Sequence, residues 1–276
     1  MSPAPAVELT NLDRVLFPAA GFTKGDLVDY YERVAPVLLP HLAGRPLTLG
    51  RFPAGIDARG FATTECRGRP DWMRTAPVRL RSGEVRNHCV VEDLPSLLWV
   101  ANLGSIELHA FPTGLVIDLD PGPGTGLLDC ARVALQLRQL LAAEGVEAFA
   151  KTTGSLGLHV HAPLEVERAA SLARSVAGRL ARESPKTVTD RRDPTARRGR
   201  VLVDWLQSNP RVLTIVPYSL RATDTPRVAA PVTWDELESV LEDQRSEALH
   251  FTPPQVLERA GRLGDPMRQV ANHQNG

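Results

Sequence analysis

The chain has 276 residues, 43% of them hydrophobic, and its 32 Lys and Arg balance its 32 Asp and Glu to a formal net charge of zero. That length suits one large domain or two small ones with a full core. Zero net charge excludes a global field toward nucleic acid or membrane, so any such contact must come from local patches and weaken with salt. Cys66, Cys89 and Cys130 have no CxxC spacing. This argues against a zinc site and a disulfide framework, and fits a reducing cytoplasm. The N-terminus has no basic segment followed by an apolar run, so no signal peptide is expected. No apolar stretch approaches the roughly 18 residues of a membrane span.

Residues 1–10 read as a loose arm. Thr23, with Asp26 three residues on, opens a capped helix whose apolar face is Leu27, Tyr30, Tyr31, Val34 and Leu38. Pro40 and Gly44 end it. On spacing alone, Arg14 and Lys24 are solvated surface charges. Leu47 to Arg51 reads as a strand, followed by a Pro-Gly loop through Phe61. Residues 76–92 read as two more strands, and Leu94 to Asn102 as a short helix with Trp99 on its buried side. Ser105 to Ala110 alternates Ile106 and Leu108 against Glu107 and His109, the period of a strand.

Thr113-Gly114 then turns into Leu115-Val116-Ile117-Asp118-Leu119-Asp120-Pro121, which predicts an antiparallel hairpin. An apolar run bounded by turn residues reads as a buried strand. Asp118 and Asp120 leave the same face, where they repel each other and resist drying. A hard divalent cation relieves both problems, and Mg²⁺ or Mn²⁺ suits oxygen ligands and substrate phosphates. For a bare D-x-D, two Asp capping a solvated turn before Pro-Gly is the more ordinary chemistry.

Leu127 to Glu144 reads as an amphipathic helix. Phe149 to Thr152 and Leu158 to Pro163 read as strands around Thr153-Gly154-Ser155-Leu156-Gly157, either a plain hairpin turn or a nest of backbone N–H groups for an anion. His159 and His161 share one strand face, with no third His or Cys nearby to complete a metal site. A helix over 165–183 precedes a basic run holding Lys186, Arg191, Arg192, Arg197, Arg198 and Arg200. Such a run is a solvated loop or a phosphate patch. It leads into Val201-Leu202-Val203-Asp204-Trp205, a second apolar strand ending in Asp. Leu213 to Val216 is a further strand, and Thr233 with Glu236 opens a last capped helix. A single domain over 1–262 is expected, with a polar, frayed tail over 263–276.

Together LVIDLDPG, KTTGSLGLHVHAPL, RRGRVLVDWLQ, IVPYSLRA and VAAPVTWDEL resemble the DNA-repair polymerase domain of the bacterial ligase D family, a branch of the archaeo-eukaryotic primase superfamily. The resemblance runs from about residue 7 to residue 240. It implies an α+β, primase-like catalytic domain with a mostly antiparallel sheet flanked by helices. It also implies a two-metal nucleotidyltransferase using Mn²⁺ or Mg²⁺, in which Asp118, Asp120 and Asp204 match the metal-binding, catalytic triad. His109, Ser155, His159, Arg197, Gln207 and Arg221 match residues around the incoming nucleotide, where guanidinium forks suit phosphate. Arg14 and Lys24 match two lysines that grip a downstream 5′-phosphate. Arg51 and Phe61 match the DNA-contacting stretch, where a ring stacks on a template base.

The implied partners are DNA with a primer terminus, gap or 5′-phosphate, nucleoside triphosphates (ribonucleotides preferred), Ku and a separate DNA ligase. The implied setting is end-joining repair at the nucleoid in the cytoplasm. Four departures stand out. Leu156 stands where the family has lysine, Ala62 where a second aromatic stands, Thr64 where a basic residue follows, and Gly50 where a basic residue precedes Arg51. The connection from His109 to Asp118 is shorter than usual. No Lys-x-Asp-Gly motif is present, so the expectation is a stand-alone polymerase rather than a ligase. The alternative is a catalytically weakened end-binding or scaffold protein. A two-metal phosphodiesterase is a third reading, for which no water-activating group stands out.

Overall fold

A computed structural model describes residues 5–274, and two six-stranded sheets organise them. The first runs in the order Val188–Thr189, Val201–Asp204, Leu115–Pro121, Leu158–Ala162, Phe149–Thr152, Pro231–Val232. Its pairs are antiparallel except the first, which is parallel. The second runs Thr214–Ile215, Ser105–Ala110, Pro46–Arg51, Val85–Val90, Thr75–Arg79, with Phe61–Thr63 also paired to Pro46–Arg51. Helices and antiparallel sheets thus form the α+β architecture expected, with two sheets rather than one.

Alternation decides which side of each sheet meets a helix. In Leu115–Pro121, Ile117 and Leu119 are fully buried while Asp118 and Asp120 are only partly so. Helices Leu127–Ala143 and Val166–Glu183 pack against this strand. The second of them does so through Ala169, Ala173, Val176, Ala177 and Leu180, small residues that let it approach closely. Helix Lys24–Leu38 packs near the second sheet, where Tyr31 donates to the Ile106 carbonyl at 2.8 Å. Its expected capping box, Thr23 with Asp26, is formed, as is that of Thr233 with Glu236.

The expected hairpin does not form. Ser105–Ala110 pairs with Pro46–Arg51 and Thr214–Ile215, whereas Leu115–Pro121 pairs with Leu158–Ala162 and Val201–Asp204. Residues 111–114 carry the chain from one sheet to the other instead of folding it back. A Cβ at Gly114 would lie 2.7 Å from the Ala162 carbonyl oxygen, so the crossing hugs the first sheet.

Two further expectations are corrected. Cys66 and Cys89 form a disulfide although nothing in their spacing announces it. Phe61–Thr63 and Val85–Val90 pair with different parts of Pro46–Arg51, and the Cys66 amide donates to the Asn87 carbonyl, so tertiary pairing brings the two sulfurs together. Trp99 packs against the core half-buried, as expected of its side of the helix, beside the fully buried Leu97, Val100 and Ala101. The frayed tail is a packed ending. Helices Pro253–Leu263 and Arg268–Gln274 follow the helix opened by Thr233, and Met267, Val270 and Ala271 are buried. Residues 1–4, 275 and 276 of the expected arm and tail lie outside the described residues, while Asn102 holds Glu8 and Thr10 of the arm by hydrogen bonds.

The C-terminal turn is anchored by Asp265, whose carboxylate pairs with His41 Nε2 at 2.9 Å and accepts from the Tyr218 hydroxyl at 2.8 Å. Burial alone would raise its pKa. The His41 and Tyr218 hydrogen bonds outweigh that and hold it below the usual carboxylate range. A carboxyl held low stabilises the fold above its unfolded pKa and loses that contribution as pH falls through the folded value. Asp265→Asn is therefore expected to cost about 2–3 kcal/mol at pH 7 in denaturant unfolding. The gap to wild type should close as pH falls below about 4; a gap constant down to pH 2 would exclude the ionic contribution. Cys66→Ser should cost about 2–4 kcal/mol when unfolding is measured without reductant. Superimposable curves for variant and wild type would contradict a formed bond.

Candidate active site

Strand register gathers the chemistry. Asp118 lies opposite Asp204 on one side and His159 on the other, and His159 lies opposite Lys151. Paired residues face the same way, so one row across four strands carries two carboxylates, an imidazole and an ammonium. Asp120 shares the face two residues on. His159 Nε2 stands 3.4 Å from Asp118 Oδ1, and its Nδ1 stands 3.4 Å from the Thr214 hydroxyl of the second sheet.

The second sheet supplies the opposite wall. Glu107 and His109, two residues apart on one strand, meet at 3.0 Å. The two-stranded ribbon Leu220–Arg221 and Arg227–Val228 brings Arg221 Nε to 3.1 Å from Glu107, an ion pair without hydrogen-bond alignment. His109, Asp118, Asp120, Ser155, His159, Gln207 and Arg221 together line one cleft of about 280 Å³. Leu156 stands at its edge, 67% exposed.

The hairpin over 153–157 closes one end. Its Ser155 and Gly157 amides both donate to the Thr153 hydroxyl at 3.2 Å, so the groups a nest would offer to an anion are engaged within the turn. A Cβ at Gly157 would lie 2.4 Å from the Leu119 carbonyl oxygen. Only glycine lets this turn sit against the strand that carries Asp118 and Asp120.

Burial sets the electrostatics. It raises the pKa of Asp118, against the opposing charges of Lys151, Arg221, Arg192 and Arg197. Asp120 is raised by burial and then by Asp118 itself, with Arg197 opposing. Lys151 is pulled down to about 7 by burial and by Arg221, with Asp118 opposing. His159 is held well below its ordinary value by burial, Lys151 and Arg221, which keeps the ring neutral. Asp118 Oδ1 has no hydrogen-bond partner among the described residues. Asp204 is buried, pairs with Arg192, and accepts from the Leu206 amide at 3.1 Å.

The donor set fits a hard divalent cation. Asp118 and Asp120 are oxygen ligands on one face, under mutual repulsion, and one of their oxygens lacks a partner. As they stand, no three His, Cys, Asp or Glu groups among the described residues are close enough to hold an ion. Asp204, opposite Asp118 in the ladder, is the third carboxylate of this face and is paired with Arg192.

The remaining predicted residues fall into separate places. Arg197 acts through its charge on Asp118 and Asp120, with Nη2 3.5 Å from the Pro121 carbonyl, and is not part of the cleft wall. Arg14 and Lys24 lie together outside the cleft. Arg14 is exposed and donates to the Pro53 carbonyl at 2.8 Å. Lys24 is buried and donates to the Thr10 carbonyl at 2.6 Å, so it is not the solvated charge its spacing suggests. Burial and the neighbouring Arg14 lower its pKa. Arg51 stacks 5.3 Å over Phe61 in a second cavity of about 330 Å³, which also includes Trp99, Arg67 and Arg86. There Arg86 donates to the Thr64 hydroxyl at 2.7 Å, placing a guanidinium beside that position.

Sequence reasoning missed Glu107, Lys151, Arg192 and Thr214. Lys151 had a signal, a charge inside an apolar strand opening the KTTGSLGLHVHAPL motif. Glu107 had one in its alternation with His109. Arg192 was counted only in the basic run, and Thr214 carries no local mark.

Comparison with known proteins supports the resemblance. The family described as LigD, primase-polymerase domain, matches residues 23–267. The multifunctional non-homologous end joining protein LigD of Mycolicibacterium smegmatis is 38% identical over 275 residues, covering 94% of this chain and 35% of that protein. The multifunctional non-homologous end joining DNA repair protein LigD of Mycobacterium tuberculosis is 39% identical over 286 residues, covering 96% and 37%. The chain thus spans about a third of the length of these curated relatives. The solved polymerase domain from Mycobacterium tuberculosis ligase D, in complex with DNA, superposes with a TM-score of 0.90 at 37% identity, covering 97% of this chain and 98% of that one.

Proposed function

Because the chain belongs to the LigD primase-polymerase domain family, we propose that it is a DNA-repair nucleotidyltransferase that extends primers, gaps or broken ends in non-homologous end joining. The observation that carries this reading is the convergence in one cleft of the Asp118–Asp120 face with His109 and Arg221.

Asp118, Asp120 and Asp204 would hold Mn²⁺ or Mg²⁺, whose Lewis acidity lowers the pKa of a primer 3′-hydroxyl and neutralises a triphosphate. The protein's own groups do the rest. Arg221 and Arg197 meet phosphate with forks that cannot lose their charge. His109 contacts the incoming nucleotide from the second sheet. Ser155, His159 and Gln207 border the same space. Lys151, fully buried, offsets the repulsion between the carboxylates. Arg14 and Lys24 take a downstream 5′-phosphate, with Arg14 as the exposed member, and Arg51 and Phe61 form the stacking platform for the template. Ribonucleotide preference, work beside Ku and a DNA ligase activity, and a place at the nucleoid in the cytoplasm complete the proposal.

The weakened end-binding reading has one observation in its favour, the loss of a triphosphate charge at Leu156. Primer extension with Mn²⁺ on gapped DNA carrying a 5′-phosphate, with NTPs and dNTPs offered separately, separates the two. Extension that vanishes in Asp118→Ala/Asp120→Ala, and is faster with NTPs, is the expected outcome. Undiminished extension by that double variant would sink the mechanism, and retention of the DNA without extension would favour the scaffold. Leu156→Lys should lower the NTP KM by about fivefold, the worth of one exposed charge pair.

A further inference from the structure

Glu107 is a carboxylate in the cleft region that no predicted role uses. Its side chain is only 16% exposed. It meets three groups at once: His109 Nε2 at 3.0 Å, Arg221 Nε at 3.1 Å and the Ala222 amide at 3.1 Å. Two of these belong to the residues assigned above to the nucleotide, and the third fixes the backbone beside Arg221.

Space for this arrangement comes from Gly50, which lies opposite Glu107 across the ladder. A Cβ at position 50 would stand 2.9 Å from the Glu107 Cβ and 3.3 Å from its Oε2. Any side chain there crowds the carboxylate. A basic one would also compete for its charge. Glycine leaves Glu107 to His109 and Arg221.

We propose that Glu107 is the positioning residue of the nucleotide site, holding Arg221 and His109 in place for a triphosphate. The inference rests on the polymerase reading of the cleft. The ion pair uses the Arg221 Nε and leaves the Nη1–Nη2 fork for phosphate oxygens. The hydrogen bond to His109 fixes one ring nitrogen and so sets the direction of the other. Burial alone would raise the Glu107 pKa. The His109 hydrogen bond, the Arg221 charge and the Ala222 amide outweigh it, so the carboxylate stays charged at neutral pH. Arg221 and His109 come from a ribbon and a sheet that touch here, and one rigid carboxylate between them removes rotamer freedom that binding would otherwise have to remove.

The test compares wild type, Glu107→Gln, Glu107→Ala, Arg221→Ala and the Glu107→Ala/Arg221→Ala double variant in primer extension with Mn²⁺, with melting temperatures recorded. Glu107→Gln keeps the size of the side chain and one acceptor, so it guards against a simple folding defect. It should raise the NTP KM about tenfold while the primer KM and kcat change less than about threefold, the pattern of lost ground-state binding. Glu107→Ala should cost little more in the Arg221→Ala background, because the two act as one unit. Separately, phenylglyoxal modification of Arg221, resolved by mass spectrometry, should be several-fold faster in Glu107→Ala. An unchanged NTP KM in Glu107→Gln, fully multiplying effects in the double variant, or unchanged Arg221 reactivity would each overturn the proposal. Should wild type extend no primer, the polymerase reading falls, and the Arg221 reactivity still decides the positioning claim.

Discussion

A buried carboxylate needs a proton, a counter-charge or a cation, and Asp118 stands where all three compete. It shares a strand face with Asp120 and a ladder row with Asp204, so neighbouring carboxylates raise the cost of its charge. Lys151 answers from the same row, two strands away, but as a buried ammonium whose own charge is costly. Arg192 pairs directly with Asp204 and acts on Asp118 only through its charge. The balance leaves one Asp118 oxygen without a hydrogen-bond partner. A hard cation is the ligand that such a deficit selects.

The fold is arranged to hold that tension in place. Leu115–Pro121 is a central strand, fixed on both edges and backed by helices, so its two carboxylates are held side by side on the cleft face. Gly157 brings the hairpin turn against this strand, and Gly122 does the same for the basic segment. A Cβ at Gly122 would stand 1.9 Å from the Arg197 carbonyl oxygen. The second sheet then presents His109 across the gap and the two-stranded ribbon presents Arg221, with Glu107 between them. Two sheets rather than one make the cleft: a single hairpin of the His109 and Asp118 strands would put both on one surface with no cleft between.

Much of this was legible in the sequence because the signals are local. The capping boxes of Thr23 and Thr233, the helix over Leu94–Asn102, and the apolar run into Asp118 and Asp120 depend on residues within a turn or two of each other. What was not legible is set by partners far away in the chain. The Thr113-Gly114 turn reads the same whether the next strand folds back or crosses to another sheet. Cys66 and Cys89 meet because each lies by a strand paired to Pro46–Arg51. The last helices are polar on average and hold through single buried residues such as Met267 and Val270. Lys24 looked solvated until its fold neighbour, the Thr10 carbonyl, was in place. The role of Glu107 becomes visible only when Gly50 and Arg221 are seen beside it.

The central claim is that the carboxylate face of Leu115–Pro121 is a cation site completed by a nucleotide. Manganese-edge anomalous diffraction from crystals grown with Mn²⁺ and a non-hydrolysable ribonucleoside triphosphate tests it most directly. The account predicts anomalous density between Asp118 and Asp120, with Asp204 released from Arg192 and the triphosphate against Arg221. Crystals with the triphosphate bound but no manganese at that face, or with the Asp204–Arg192 pair intact beside it, would contradict the account.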